Sequence, residues 1–133
     1  ANVLLTLGVK SGMVIHGQDC LDELSMSAPT SVCEFKDGWY RRYTIKPEDF
    51  GFTRCTKDDI RGGDPAENAA VTLAILKGAQ GPKTDIVLLN AGAAIYVGGK
   101  AKNIAEGIEI ARQMIASGAA LKKLEAFKQL SNA

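Results

Sequence analysis

TDIVLLNAGAAIYVGG, residues 84 to 99, is the stretch on which the fold turns. It opens on β-branched and aliphatic residues, as a buried strand does, yet it carries Ala91, Ala93 and Ala94 and is sixteen residues long. Strands in globular proteins usually run about five or six residues. When an apolar run shows no clear period, length separates the two readings. The stretch therefore predicts a buried helix over residues 83–97, and a strand has to be sought elsewhere.

Downstream, Asn103 and Glu106 have the spacing of a capping box, and Ile104, Ile108, Ala111 and Ile115 recur at helical intervals. This predicts a helix over 103–117. Ser117-Gly118 breaks it, and ALKKLEAFKQL predicts a last helix over 119–130, with Leu121, Leu124 and Phe127 inward and Lys122, Lys123 and Lys128 wet. Upstream, RGGDPAENAAVTLAILKG has full start chemistry: Asp64 at the N-cap, Pro65 first in the helix and Glu67 third. A helix over 65–77 follows, with Ala69, Leu73 and Leu76 on one face and Gly78 as its stop. A glycine pair before a helix start can hold an anion, but Asp64 already occupies those amide groups and repels phosphate. Asn68 and Asn90 read as structural amides within helices.

The strands come earlier. SVCEFK and WYRRYTI flank Asp37-Gly38, a two-residue hairpin turn, which predicts a hairpin over 31–45. Counting from the turn pairs Lys36 with Trp39, Phe35 with Tyr40, Glu34 with Arg41 and Val32 with Tyr43. Arg41-Arg42 then belongs to a solvated strand edge. SGMVIHG predicts a short buried strand over 12–16, pairing within a parallel sheet. Residues 46 to 61 read as an irregular connection. ANVLLTLG reads as the tail of a helix closed by Gly8, which suggests the later part of a longer protein.

The chain has 133 residues, 46% hydrophobic and 23% charged, the usage of one ordinary globular domain. Sixteen Lys and Arg against fifteen Asp and Glu leave a net charge of +1, with no electrostatic footprint for nucleic acid or an anionic membrane. Cys20, Cys33 and Cys55 share no metal or CxxC spacing, so three free thiols in a reduced, cytoplasmic compartment are expected. No apolar run reaches the ~20 residues of a membrane span.

HGQDCLDELS, residues 16 to 25, holds the chemistry-bearing candidates. His16 is the only histidine, so it has no second histidine in reserve, and at a strand end it reads as packed. Cys20 has no adjacent Lys or Arg to activate it. No catalytic residue is assigned. Asp22 and Glu23 follow a strand and a glycine, the position where open α/β sheets bind ligands. Adjacent acids suit hard cations as well as a hydrated surface, and spacing alone leaves both open.

VIHGQDCLDELS, then GGDPAENA, then DIVLLNAGAAIYVGGKA with SGAALKKLE, resembles the C-terminal part of the anthranilate phosphoribosyltransferase family over essentially the whole chain. The resemblance implies an α/β fold of the nucleoside phosphorylase and phosphoribosyltransferase kind, with part of a mostly parallel sheet flanked by helices. It implies transfer of the phosphoribosyl group from phosphoribosyl pyrophosphate to anthranilate, in tryptophan biosynthesis. From the family's DGxDE pattern it implies Mg²⁺ binding by Asp22 and Glu23, with Cys20 where the family usually has glycine. The GTGGD loop, the acceptor-contacting residues and the helical dimerisation domain have no counterpart here and are expected upstream of Ala1. The family further implies a homodimer, in some cases associated with or fused to a glutamine amidotransferase subunit of anthranilate synthase. A related pyrimidine-nucleoside phosphorylase, a transferase with another acceptor, and a non-enzymatic module are the alternatives.

Overall fold

A computed structural model describes residues 1–132. The order is α1 (Asn2–Thr6), β1 (Ser11–Gly17), β2 (Thr30–Lys36), β3 (Trp39–Ile45), two short 3₁₀ turns at Pro47–Phe50 and Asp58–Ile60, then α2 (Pro65–Leu76), α3 (Pro82–Val97), α4 (Ile104–Ala116) and α5 (Ala119–Ser131). The deciding stretch is a helix. Leu88, Leu89 and Ala93 turn its buried face into the core, and Pro82 at its first position has no amide hydrogen to waste.

Asp37 and Gly38 both take positive φ, +46° and +89°, the geometry of a tight turn that matches strand twist. The register follows from that turn, and all four expected pairs are present.

The sheet departs from expectation. Its order is β1-β2-β3 and both pairings are antiparallel, so β1 does not lie in a parallel sheet among the described residues. A parallel pair needs a crossover, usually a helix, and the segment between Gly17 and Thr30 contains none; it folds back at the same sheet end. The burial of β1 agrees: Met13 and Ile15 pack on the core, while Val14 and His16 alternate outward. The fold is mixed α/β, with α3 and α4 on the face that carries Met13, Ile15, Val32, Tyr43 and Ile45.

Glycines set two close contacts. At Gly12 a Cβ would stand 2.5 Å from Phe35 Cζ, so the bare β1 backbone lets the Phe35 ring lie flat and fully buried. Where α3 crosses α4, a Cβ on Gly92 would lie 2.7 Å from the Ile108 backbone nitrogen, and one on Gly107 would strike the Gly92 carbonyl. The two helices therefore touch backbone to backbone.

Asp64 accepts from the Glu67 amide at 2.9 Å while Glu67 accepts from the Asp64 amide at 3.0 Å, the full box expected. The second box is only half formed. Asn103 accepts from the Glu106 amide at 2.8 Å, but Glu106 reaches back to the Lys102 amide, one residue further than the motif requires. Two core assignments also change. Phe127 is 66% exposed, on a helix that has no fully buried residue. Ile75, not Ala69, is the buried residue of α2.

Candidate functional site

The acidic loop joins β1 to β2, from Gly17 to Thr30, and almost every turn of it is tied. The Gly17 amide donates to the Leu21 carbonyl at 2.8 Å and the Cys20 amide to the Gly17 carbonyl at 2.8 Å, closing a tight turn at the strand end. Cys20 holds that turn at φ +70°, a left-handed conformation that favours glycine.

Asp19 organises the next layer. Its Oδ2 accepts from the Ser25 hydroxyl at 2.8 Å and from the Ser27 hydroxyl, and Oδ1 accepts from the Leu21 amide at 3.4 Å. Burial pushes this carboxyl up, but the Ser27 and Ser25 hydroxyls and the Leu21 amide outweigh it and hold Asp19 below the ordinary aspartate range. The Lys57 ammonium caps the Asp19 carbonyl. Ser25 is fully buried: its amide donates to Thr30 Oγ1 at 2.9 Å, and its own Oγ accepts from the Ser27 and Ala28 amides at 3.0 Å each.

Leu24 fastens the loop to the core and is 1% exposed. Asn90, on α3, grips its backbone on both sides: the Leu24 amide donates to Asn90 Oδ1 at 2.9 Å and Asn90 Nδ2 donates to the Leu24 carbonyl at 2.9 Å. Leu21 is half-buried.

Asp22 and Glu23 stand between these fixed points, both exposed. The ion pairs of the described residues use other acids. The Asp22 and Glu23 carboxylates are hard oxygen donors open to solvent. Among the described residues no group of three or more His, Cys, Asp and Glu side chains could hold a metal, so this chain offers two carboxylates rather than a closed cage. That donor set fits Mg²⁺, which keeps several waters and takes remaining ligands from substrate phosphates; it does not fit Zn²⁺, which wants four ligands of its own.

The other candidates lie apart. His16 is exposed on β1 opposite Ser31, lining an open cleft of about 780 Å³ on the outer sheet face with Cys33, Tyr40, Arg42 and the first residues of the chain. Arg42 lines this cleft, whereas Arg41 turns to Glu34, its expected cross-strand partner, in a cluster whose tyrosines pattern reading missed. Glu34, 3% exposed, accepts from Arg41 Nε at 3.1 Å, Tyr43 Oη at 2.7 Å and Tyr96 Oη at 2.6 Å. Burial pushes Glu34 up, and the Tyr96, Tyr43 and Arg41 hydrogen bonds more than reverse it, leaving the carboxyl below its usual range. Burial and the Glu34 bond push the Tyr43 phenol up. The three cysteines are free, and burial raises the Cys55 thiol, which keeps it protonated. No helix among the described residues is long and apolar enough to cross a membrane.

The acidic loop thus follows a strand and is held by a helix that packs glycine to glycine on the next. Residues 1–121 match the glycosyl transferase family, a/b domain, and the chain belongs to that family. Within it, the anthranilate phosphoribosyltransferase of Methanobrevibacter smithii is 52% identical over 130 residues, which are 98% of this chain and 39% of that protein. The crystal structure of anthranilate phosphoribosyltransferase from Thermus thermophilus superposes with a TM-score of 0.87 at 38% identity, over 98% of this chain and 38% of that one. The Saccharomyces cerevisiae enzyme, solved in complex with phosphoribosyl pyrophosphate and Mg, gives a TM-score of 0.86 at 26% identity, over 98% of this chain and 38% of that one. The chain thus spans less than two fifths of the length of these relatives.

Proposed function

We propose that the chain is the later part of the α/β domain of an enzyme that transfers the phosphoribosyl group from phosphoribosyl pyrophosphate to anthranilate, releasing pyrophosphate, in tryptophan biosynthesis. The observation that carries this reading is the 52% identity to the Methanobrevibacter enzyme across 98% of the chain, acidic loop included. In this reading Asp22 and Glu23 hold Mg²⁺, as the donor set fits and as the metal in the yeast complex supports.

Displacement at the ribose carbon builds positive charge on the sugar and negative charge on the leaving pyrophosphate, and it asks for positioning and charge stabilisation more than for a covalent protein group. Bound at the acidic pair, Mg²⁺ would neutralise the departing pyrophosphate. The chain's own residues hold the two carboxylates at the end of β1 and keep their backbone from moving. No side chain here is assigned as nucleophile or proton carrier, which such a displacement permits. Phosphate-cradling, acceptor-contacting and dimer-forming residues belong to the upstream segment in this proposal, with a cytoplasmic homodimer, associated with or fused to a glutamine amidotransferase subunit, as the assembly.

The test is turnover of the complete polypeptide with phosphoribosyl pyrophosphate, anthranilate and Mg²⁺. Formation of phosphoribosyl-anthranilate is expected, at a rate that falls steeply in Asp22→Asn/Glu23→Gln. Phosphorolysis of a nucleoside without any reaction of anthranilate would overturn the assignment.

A further inference from the structure

We infer that Asn90 is a positioning residue for the Asp22–Glu23 pair, an inference that rests on the metal reading above. The peptide planes on either side of the pair are fixed. The Leu21 carbonyl, part of the peptide that precedes Asp22, accepts from the Gly17 amide at 2.8 Å. Gly17 is itself held in β1 opposite Thr30. The Leu24 amide, part of the peptide that follows Glu23, donates to Asn90 Oδ1 at 2.9 Å. Only the peptide between the two acids is left without a clamp. One side of the pair is thus hydrogen-bonded to β1, and the other to a side chain of α3, beside the buried Leu24.

Asn90 suits the task on chemical grounds. Its amide presents an acceptor and a donor side by side and pairs with both backbone groups of Leu24, as a neighbouring strand would. A further bond from Nδ2 to the Ile86 carbonyl at 3.0 Å, one turn back on α3, fixes the rotamer. Since α3 is locked to α4 at Gly92, the clamp is mounted on a rigid element. Asn68 supplies a matched comparison. It grips Gly63 in the same two-sided way, with both bonds at 2.9 Å, but at the start of α2.

The test uses the complete polypeptide, with Mn²⁺ as the probe and its bound fraction read by electron spin resonance in the presence of phosphoribosyl pyrophosphate and no acceptor. Asn90→Asp keeps the acceptor for the Leu24 amide but sets an oxygen against the Leu24 and Ile86 carbonyls, and Mn²⁺ affinity is expected to fall about tenfold, as partners behind metal ligands typically cost. Asn68→Ala is expected to lose thermal stability without changing Mn²⁺ affinity. In the Asp22→Asn/Glu23→Gln background, adding Asn90→Asp is expected to change Mn²⁺ binding no further, because the group that it positions is gone. Amide hydrogen exchange over residues 18–24 of the unliganded protein is expected to quicken in Asn90→Asp. Unchanged Mn²⁺ affinity in Asn90→Asp, alongside weakened binding in the acid double variant, would overturn the clamp alone. Unchanged affinity in the acid double variant would overturn the metal reading and the clamp with it.

Discussion

Gly107→Ala sets two expectations of opposite sign against each other. In an exposed helix interior, alanine is about 1 kcal/mol better than glycine, so propensity alone predicts a more stable protein. The packing predicts the reverse. A Cβ at position 107 would lie 2.9 Å from the Gly92 carbonyl carbon and 3.1 Å from Gly92 Cα, and closer still to the carbonyl oxygen. Each of these atoms is backbone, so no rotamer change relieves the contact. The helices would have to separate by roughly 1 Å to restore ordinary carbon contacts of about 3.5–4.0 Å. That motion loosens Leu89, Ala93, Ile104 and Ile108 together, all of them core residues. Overpacking of this kind costs about 1–3 kcal/mol, and a rigid backbone partner puts it at the upper end. Net of propensity, the loss is about 2 kcal/mol, which for a domain of this size lowers Tm by roughly 6–8 °C. Urea and thermal unfolding followed by circular dichroism would measure it. A Tm at or above the parent's would refute the close crossing.

Cys20→Gly removes a left-handed non-glycine residue; relief of about 1–2 kcal/mol less the extra flexibility of the unfolded chain leaves a gain of about 0.5–1 kcal/mol, visible as a higher urea midpoint with an unchanged slope. Glu34→Gln should destabilise by about 2–3 kcal/mol, since a buried acceptor of three side chains loses its charge. Because the folded-state value for Glu34 lies below its ordinary one, its contribution is present above the usual glutamate range and fades as pH falls through the folded value. An acid titration of stability should therefore have a shallower limb in Glu34→Gln than in the parent. Asp22→Asn/Glu23→Gln in the complete polypeptide should raise the Mg²⁺ requirement while leaving Tm unchanged or slightly higher, since both groups are exposed like charges; full activity at limiting Mg²⁺ would restore the reading of a merely hydrated surface. The 133-residue chain alone is expected to show no transferase activity, checked by the same assay.

Much of the fold was legible because the signals were local. Asp37-Gly38 decided four cross-strand pairs, and Asp64-Pro65 with Glu67 marked a helix start to the residue. The direction of β1 was not legible. Whether a strand pairs parallel or antiparallel depends on where the chain returns, and an apolar run such as Met13 to Ile15 carries no record of that. Phe127 failed for a related reason: amphipathic spacing chooses a face but does not say whether another element covers it. At the candidate site, the place of Asp22 and Glu23 after a strand and a glycine was readable, and both residues are exposed there. Their supports were not readable. Asn90 sits 66 residues from Leu24 in the chain, and Tyr96 sits 62 from Glu34, and no local pattern links such pairs. Asp19 with Ser25 and Ser27 was within reach, since an acid followed by hydroxyls six and eight residues later is a loop-closing set, yet it reads equally as a polar surface.

The span between Leu24 and Asn90 also bears on the order of events in folding. The hairpin and the helices form from neighbours within a few residues, on microsecond scales. Joining residues 66 apart requires closing a long loop first, and its entropy is recovered only when the sheet and α3 have already met. The Leu24–Asn90 pairing is therefore expected to form after the local bonds of the loop, and the Leu24 amide hydrogen becomes a timer. Its protection from exchange marks the moment when the two halves of the chain have docked, and a refolding pulse-labelling experiment would see it appear after the hairpin amides.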